Sequence, residues 1–239
     1  MEHAQYVAAI RWEGEDLAAA ARDAGLDAVV PSCPEWTIAD LLSHIGRVQH
    51  WVTSIVETRA QPDHNWRMDD PPVPEARIVW FAEGCNALAD ALDKCAPSDE
   101  VWTWTPDHTI GFWSRRMAHE VAVHRTDAQG AAGTQVPVER ELAVDGIQEF
   151  FDLIPVRPGS DVRGNGESIH LHCTDGDGEW LARLEPDGIV VTREHAKGDV
   201  AARGSASDLL LLIWGRERPA VDVFGEPAVL AQFLELARF

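Results

Sequence analysis

Through the first two-thirds of the chain, apolar residues recur every three or four positions, which is the period of helices buried along one side. The clearest stripe consists of Ile38, Leu41, Ile45, Val48, Val52 and Ile55. Thr37 stands before this stripe with an oxygen that can cap a helix, and Asp40 adds an acidic group in the first turn. Further helices are predicted at 2–24, 75–95, 112–131 and 138–153, with a polar break at 61–74. Four long amphipathic helices with short to medium connections are typical of an up-and-down bundle.

The pattern changes after residue 155. Segment 156–166 is rich in proline and glycine and has no apolar period, so we interpret it as a linker. Beyond it the period becomes two, which predicts a strand at 169–173. Strands are further predicted at 180–184, 189–193 and 220–224, and helices at 206–214 and 227–238. The sequence therefore predicts an α plus α/β chain of two domains: a four-helix bundle over 1–155 and a small α+β domain over 167–239.

Charge narrows the classes of partner. The chain of 239 residues carries 20 basic and 40 acidic side chains, a formal net charge of −20. Such a surface repels phosphate backbones and anionic lipids, so we expect neither a nucleic-acid nor a membrane partner. No apolar run approaches the ~20 residues of a membrane span, and the first residues lack the pattern of a signal peptide. We expect a cytoplasmic protein; the sequence leaves a monomer and a homodimer equally open.

The cysteines are typical of a reducing compartment. Four are present, Cys33, Cys85, Cys95 and Cys173, and none has the spacing of a metal finger. We expect all four to be reduced, mostly as small core residues. A nucleophilic cysteine needs a basic partner nearby, and the sequence indicates none.

The fourth predicted helix carries the most informative polar residues. Glu120 and His124 lie one turn apart in the middle of its apolar face, while His119 points sideways. A carboxylate in a bundle core is costly unless it is paired, hydrogen-bonded or bound to a metal. Glutamate and histidine at this spacing suit one divalent ion, and His44, at the edge of the second helix's stripe, is the natural third ligand. Three protein ligands leave a coordination position open, as in catalytic sites.

Purely structural interpretations remain open for these residues. Glu120 could pair with Arg116 four positions earlier, and His124 could be a hydrogen-bonded core histidine. Two further histidines, His170 and His172, share one face of a predicted strand. The sequence offers no third ligand near them, so we interpret them as part of a partly exposed strand face.

Four segments together resemble the mycothiol-dependent maleylpyruvate isomerase family. They are CPEWTIADLLSHIGRVQHW, WTWTPDHTIGFWSRRMAHEVAVHRTDA, LHCTDGDGEW and GSASDLLLLIWGR. The resemblance implies a DinB-like metal-binding four-helix bundle followed by a small α/β domain. It places the metal ligands on His44, Glu120 and His124. Zinc is the expected ion, with nickel, iron, cobalt and manganese as other divalent candidates, and mycothiol is the implied cofactor; the residues that bind it are unknown.

The resemblance also implies a reaction class. A metal-bound thiolate would act as a nucleophile on a small anionic or electrophilic substrate, in cis–trans isomerisation or S-transfer. In isomerisation, addition to the cis double bond allows rotation, and elimination leaves the trans product. An anionic substrate needs local positive charge, for which Arg116 and Arg216 are the candidate catalytic residues. Two alternatives stay open: a hydrolase that uses metal-bound water, and a non-catalytic binding or stress protein whose ion braces the bundle.

Overall fold

Four long helices, each near a predicted position, form the first part of the protein. The computed structural model describes residues 1–62, 71–216 and 220–238. Its contacts divide the chain into two compact units, Met1–Val138 and Glu139–Phe239, each described here by itself. The helices of the first unit are α1 (His3–Ala24), α2 (Ile38–Thr58), α3 (Arg77–Asp93) and α4 (Ile110–Ala132), packed as a bundle in which α1 and α2 each contact α3 and α4. The predicted break at 61–74 lies partly outside the described residues.

The start of α2 follows from its sequence. The amide of Asp40 donates to Oγ1 of Thr37, and the amide of Thr37 donates back to the Asp40 carboxylate. These reciprocal bonds form a capping box. Hydrogen bonds from the Thr37 backbone and hydroxyl lower the pKa of Asp40. Just before α2, a short hairpin that the periodicity did not predict pairs β1 (Val29–Val30) with β2 (Cys33–Thr37).

The second unit is built on a mixed five-stranded sheet. Its strands are β3 (Glu167–Cys173), β4 (Glu179–Glu185), β5 (Gly188–Thr192), β6 (Val200–Gly204) and β7 (Asp222–Gly225), in the order β5-β4-β3-β6-β7. Only the β3–β6 pair is parallel. Three helices accompany the sheet, α5 (Arg140–Leu153), α6 (Ala206–Ile213) and α7 (Pro227–Leu236). The predicted class of a helical domain followed by an α/β domain is confirmed; β6 was not predicted.

The two compact units divide earlier along the chain than the predicted domain boundary. The linker 156–166 is the expected boundary, but the units divide after Val138, and α5 belongs to the second unit. Gln148 of α5 accepts a hydrogen bond from the indole of Trp180 on β4 at 3.0 Å. The supposed linker is itself fastened to β4, because the amide of Gly166 donates to the carbonyl of Leu184 at 2.8 Å. The apolar face of an amphipathic helix indicates that the helix packs against a core. It does not indicate which domain that core belongs to.

A buried ion pair joins α1 to α4. Nε of Arg125 donates to Oε2 of Glu13 at 2.6 Å, and both side chains are almost completely enclosed. Nη1 of Arg125 also donates to the side chain of Gln129 at 2.7 Å. Because the pair is withdrawn from water, loss of either partner leaves an uncompensated charge in the bundle.

No helix in the described part of the chain combines the length and the apolar character that a bilayer crossing requires.

We therefore expect Glu13→Ala to destabilise the protein by about 3–5 kcal/mol, because it leaves the Arg125 guanidinium buried and unpaired. Urea unfolding followed by circular dichroism measures the change. Glu15→Ala is the matched control, since Glu15 is an exposed glutamate of the same helix, and we expect its effect to stay within about 0.5 kcal/mol. Equal effects of the two substitutions would contradict the assigned role of the pair.

Candidate metal centre

Helices α2 and α4 bring the three predicted ligand side chains to one place. His44 lies in the second turn of α2, while Glu120 and His124 lie one turn apart on α4. Oε1 of Glu120 is 3.6 Å from Nε2 of His44 and 3.4 Å from Nε2 of His124. The nitrogen and oxygen atoms that the three residues offer lie within 4.8 Å of one another.

These separations suit a shared cation better than direct hydrogen bonds. Hydrogen bonds in proteins measure about 2.7–3.2 Å between heavy atoms, and both distances from Glu120 exceed that range. A tetrahedral zinc ion with ligands at about 2.0–2.2 Å holds neighbouring ligand atoms about 3.3–3.6 Å apart. Two imidazoles and a carboxylate are also a donor set that divalent transition metals accept. The residues therefore fit the implied ion in both chemistry and spacing.

The second oxygen of Glu120 has a different partner. Nη2 of Arg116 donates to Oε2 at 3.1 Å, so the pairing of Glu120 with Arg116 that the sequence left open is present. Burial alone would raise the pKa of Glu120, but the adjacent His124 and His44 and the charge of Arg116 outweigh burial and hold it well below its usual range. The group is therefore a carboxylate with one oxygen fixed and the other directed to the histidines. Arg116, a candidate catalytic residue of the sequence analysis, contacts Glu120, and its part in catalysis stays a prediction.

A buried carboxylate orients His124. Nδ1 of His124 lies 2.9 Å from Oδ2 of Asp127, and Oδ1 of Asp127 accepts a hydrogen bond from Ser32 at 2.6 Å. A proton on Nδ1 leaves Nε2, the atom nearest Glu120, available as a ligand. Carboxylates that hold metal-binding histidines in this way raise ligand basicity and fix the ring. Ser32 belongs to the turn between β1 and β2, so the unpredicted hairpin supports the site.

The same neighbours change the protonation of His124. Burial lowers the pKa of a histidine, but here the hydrogen bond with Asp127 and the negative charges of Glu120 and Asp127 outweigh burial and raise the pKa to about 9. Without a cation, His124 is therefore an imidazolium at neutral pH. A cation that binds its Nε2 must displace that proton.

The exposed side of the cluster lies at His44. The His44 side chain is 39% exposed against 10% for His124, so His124 is the deeper of the two histidines. His44 also borders a surface depression of about 560 Å³, lined among others by Trp36, Ser43 and Arg47. The indole of Trp36 packs against the His44 ring with centroids 5.0 Å apart. This depression offers space for a small molecule next to the cluster.

Other residues singled out in the sequence lie elsewhere. His119 contacts Tyr6 edge-on with ring centroids 6.1 Å apart. Arg216 lies in the second unit, where its Nη1 donates to the carbonyl of Trp214 at 2.7 Å. Its part in catalysis stays a prediction. Sequence reasoning did not assign the orienting role of Asp127, although its position three residues after His124 on one helix was a usable signal.

Two family models match the chain. The first, described as the mycothiol maleylpyruvate isomerase N-terminal domain, matches residues 7–129. The second, described as the MDMPI C-terminal domain, matches residues 141–232 and begins inside α5. The start of the second match agrees with the division between the two structural units. A search of curated proteins found no match.

Solved structures give the same fold. A crystal structure of the mycothiol-dependent maleylpyruvate isomerase is 14% identical, covers 95% of both chains and superposes with a TM-score of 0.63. A histidine-to-alanine mutant of that isomerase has the same identity and coverage and a TM-score of 0.60. At this identity the likeness establishes the fold of the chain and leaves its chemistry to the site itself.

We expect Asp127→Asn to weaken metal binding by about 10- to 100-fold while leaving all three ligands in place. The neutral amide no longer raises the basicity of His124 or favours the tautomer with Nε2 free. Competition with a chromophoric chelator measures the affinity. Asp23→Asn, at an exposed aspartate near the end of α1, is the control and should bind metal like the wild type. Unchanged affinity in Asp127→Asn would contradict the orienting role.

Metal affinity should also depend on pH. Because His124 without metal has a pKa raised to about 9, binding below that pH displaces one proton, and the apparent affinity should fall about tenfold for each unit between pH 8.5 and 6.5. In the metal-free protein, protonated His124 stabilises the fold. This stabilisation is complete below the ordinary histidine pKa of about 6.5 and is lost as the pH rises through about 9. The same chelator competition, repeated between pH 6.5 and 8.5, measures how steeply the metal affinity depends on pH. A flat profile would contradict the assigned protonation.

Proposed function

The chain belongs to the mycothiol maleylpyruvate isomerase family, and from this membership and the geometry above we propose that it is a metal- and thiol-dependent enzyme. Its metal ligands would be His44, Glu120 and His124, with zinc or another divalent transition ion as the metal. Its cofactor would be mycothiol or a similar low-molecular-weight thiol. The reaction would be cis–trans isomerisation or S-transfer on a small electrophilic substrate.

One observation carries the proposal. Oε1 of Glu120 lies 3.6 Å from Nε2 of His44 and 3.4 Å from Nε2 of His124. Three ligand atoms from two helices are therefore close together, and the oxygen is too far from either nitrogen for a hydrogen bond. If these polar groups served only the stability of the bundle, they would be joined by short hydrogen bonds, as Arg125 and Glu13 are at 2.6 Å. The open arrangement favours a bound cation.

The chain's own residues would prepare the cation site before any substrate arrives. Arg116 holds one oxygen of Glu120, and Asp127 holds Nδ1 of His124, so both ligands on α4 are fixed in orientation. Trp36 packs on the ring of His44 with ring centroids 5.0 Å apart. When bound, the ion would act as a Lewis acid that keeps a coordinated thiol deprotonated at neutral pH. Three protein ligands leave a position for that thiol.

The two buried cysteines of the chain are unsuited to act as this thiol. Burial raises the pKa of the Cys85 thiol to about 12 and that of the Cys173 thiol to about 11, so both stay protonated at neutral pH. A protonated, enclosed thiol is a poor nucleophile. This agrees with a mechanism in which a diffusible thiol is activated at the metal.

The substrate would be small and either anionic or electrophilic. A protein of net charge −20 needs local positive charge to hold an anion, and the family resemblance assigns that task to Arg216. Arg116 acts through Glu120 in this structure, so we propose it as a positioning residue. Cytoplasmic location and a choice between monomer and homodimer stay predictions.

The proposal predicts that His44→Ala removes one divalent ion per chain and lowers thiol-dependent turnover by about a thousandfold or more, since a Lewis-acid ion supplies several kcal/mol to such reactions. Metal content is measured by elemental analysis after dialysis. Activity is measured with mycothiol and a generic electrophile, and separately with maleylpyruvate. His108→Ala, at an exposed histidine of the same unit, is the control and should keep both properties.

The outcomes separate the candidate functions. Turnover of an ester or amide without any thiol would replace the proposal with a metal hydrolase. Metal that stabilises the bundle, with no effect of a thiol on any electrophile, would replace it with a non-catalytic binding protein. Full activity of metal-free protein, or unchanged metal content in His44→Ala, would overturn the assigned ligand set.

A further inference from the structure

A second cluster of histidines lies on the sheet of the second unit. His170 and His172 are two residues apart on β3 and therefore share one face. Glu179, at the start of β4, pairs directly with His172 in the antiparallel register, which brings its side chain to the same face. His195 joins them from the segment that follows β5. Interpreting the strand face as lacking a third ligand was therefore wrong, because the further groups come from β4 and from beyond β5.

The Glu179 carboxylate lies at the centre of the three imidazoles. Its Oε1 is 2.8 Å from Nδ1 of His172, and its Oε2 is 2.7 Å from Nδ1 of His195 and 3.4 Å from Nε2 of His170. The ring centroids of the three histidines lie 5.5–5.9 Å from one another. One ligand atom from each of the four residues lies within 4.8 Å of the others. The four groups are thus close enough to share one ion. The contacts of Glu179 with His172 and His195, at 2.8 and 2.7 Å, would lengthen to about 3.3–3.6 Å around a tetrahedral ion.

Two of these nitrogens are enclosed without a hydrogen bond. Nε2 of His170 and Nδ1 of His172 are withdrawn from solvent and make no hydrogen bond within the part of the chain that the structure describes. Both are close to Glu179 but lack the alignment of a bonded pair. Buried polar atoms nearly always have a partner, and an atom without one indicates a missing water or ion. Imidazole nitrogens beside a carboxylate favour a cation.

We propose that His170, His172, His195 and Glu179 form a second divalent transition-metal site, with zinc as its expected occupant. Imidazole ligands select zinc, copper, nickel or iron over magnesium and calcium, which prefer oxygen. Three nitrogens and one carboxylate oxygen complete a tetrahedral shell and leave no position open, which is the arrangement of a structural site. The strongly acidic surface of the chain would also attract cations towards it.

The position of the ligands indicates what the ion would do. His170 and His172 are largely enclosed, whereas the side chain of His195 is 77% exposed. A bound ion would therefore fasten the segment after β5 to β3 and β4 through one surface residue. This role in holding the sheet is independent of the centre at His44, Glu120 and His124, which lies in the other unit.

Zinc stoichiometry tests the proposal. The full-length protein is stripped with a chelator, dialysed against a small excess of zinc and analysed for metal per chain. We expect Glu179→Gln to hold one zinc fewer than the wild type and to lose part of the zinc-dependent rise in melting temperature. Glu185→Gln is the matched control, a glutamate at the other end of β4, and should match the wild type in both measurements.

His195→Ala tests the same site without disturbing the sheet, because its side chain is mostly exposed. Loss of a contact that only supports a ligand weakens metal binding by about 10- to 100-fold. We expect loss of the ligand His195 to weaken zinc binding at this site by at least as much. Equal zinc content and affinity in wild type, Glu179→Gln and His195→Ala would overturn the proposal and leave the cluster as a hydrogen-bonded group. Since each result is a difference from the wild type, it holds whether or not the centre at His44 binds zinc.

Discussion

The partly buried carboxylate of Glu120 sets the conditions for the rest of the first unit. A charge inside a helical bundle is costly unless each of its oxygens has a partner. Oε2 receives a hydrogen bond from Arg116 on the same helix, while Oε1 depends on His124 and on His44, which comes from α2. The bundle must therefore hold α2 against α4 at a fixed depth. The capping box at Thr37 and the hairpin before it determine where α2 begins.

Helix α4 carries two polar networks with opposite properties. Arg125 and Glu13 make a closed pair at 2.6 Å, whose bonds are complete within the protein. The two imidazoles around Oε1 of Glu120 stay 3.4 Å or more from that atom, and the proposed cation would complete this network. A closed network contributes to stability, whereas an open one leaves room for a ligand. In the proposed function, the same helix braces the bundle on one side and binds a cation on the other.

Local patterns in the sequence were sufficient for part of this structure. Helical periodicity located α2 and α4 and put Glu120 and His124 on one face, because both features depend on residues within a turn of each other. The support of Asp127 by Ser32, across the hairpin, depends on tertiary contact and was not predicted. The place of α5 was mistaken for the same reason, since its apolar face fits either core. Cross-strand register likewise brings Glu179 to His172.

The two clusters illustrate how the choice of supporting element determines what a cation site can do. At Glu120 the ligands stand on two long helices, and their partners Arg116 and Asp127 fix two of them from within α4. Such a site keeps its shape with a position vacant, which exchange of a small ligand requires. At Glu179 the fourth donor is His195, an exposed residue outside any strand. A ligand on a surface segment is ordered by the ion it binds, so the ion there would serve the fold, and only the helical centre is suited to chemistry.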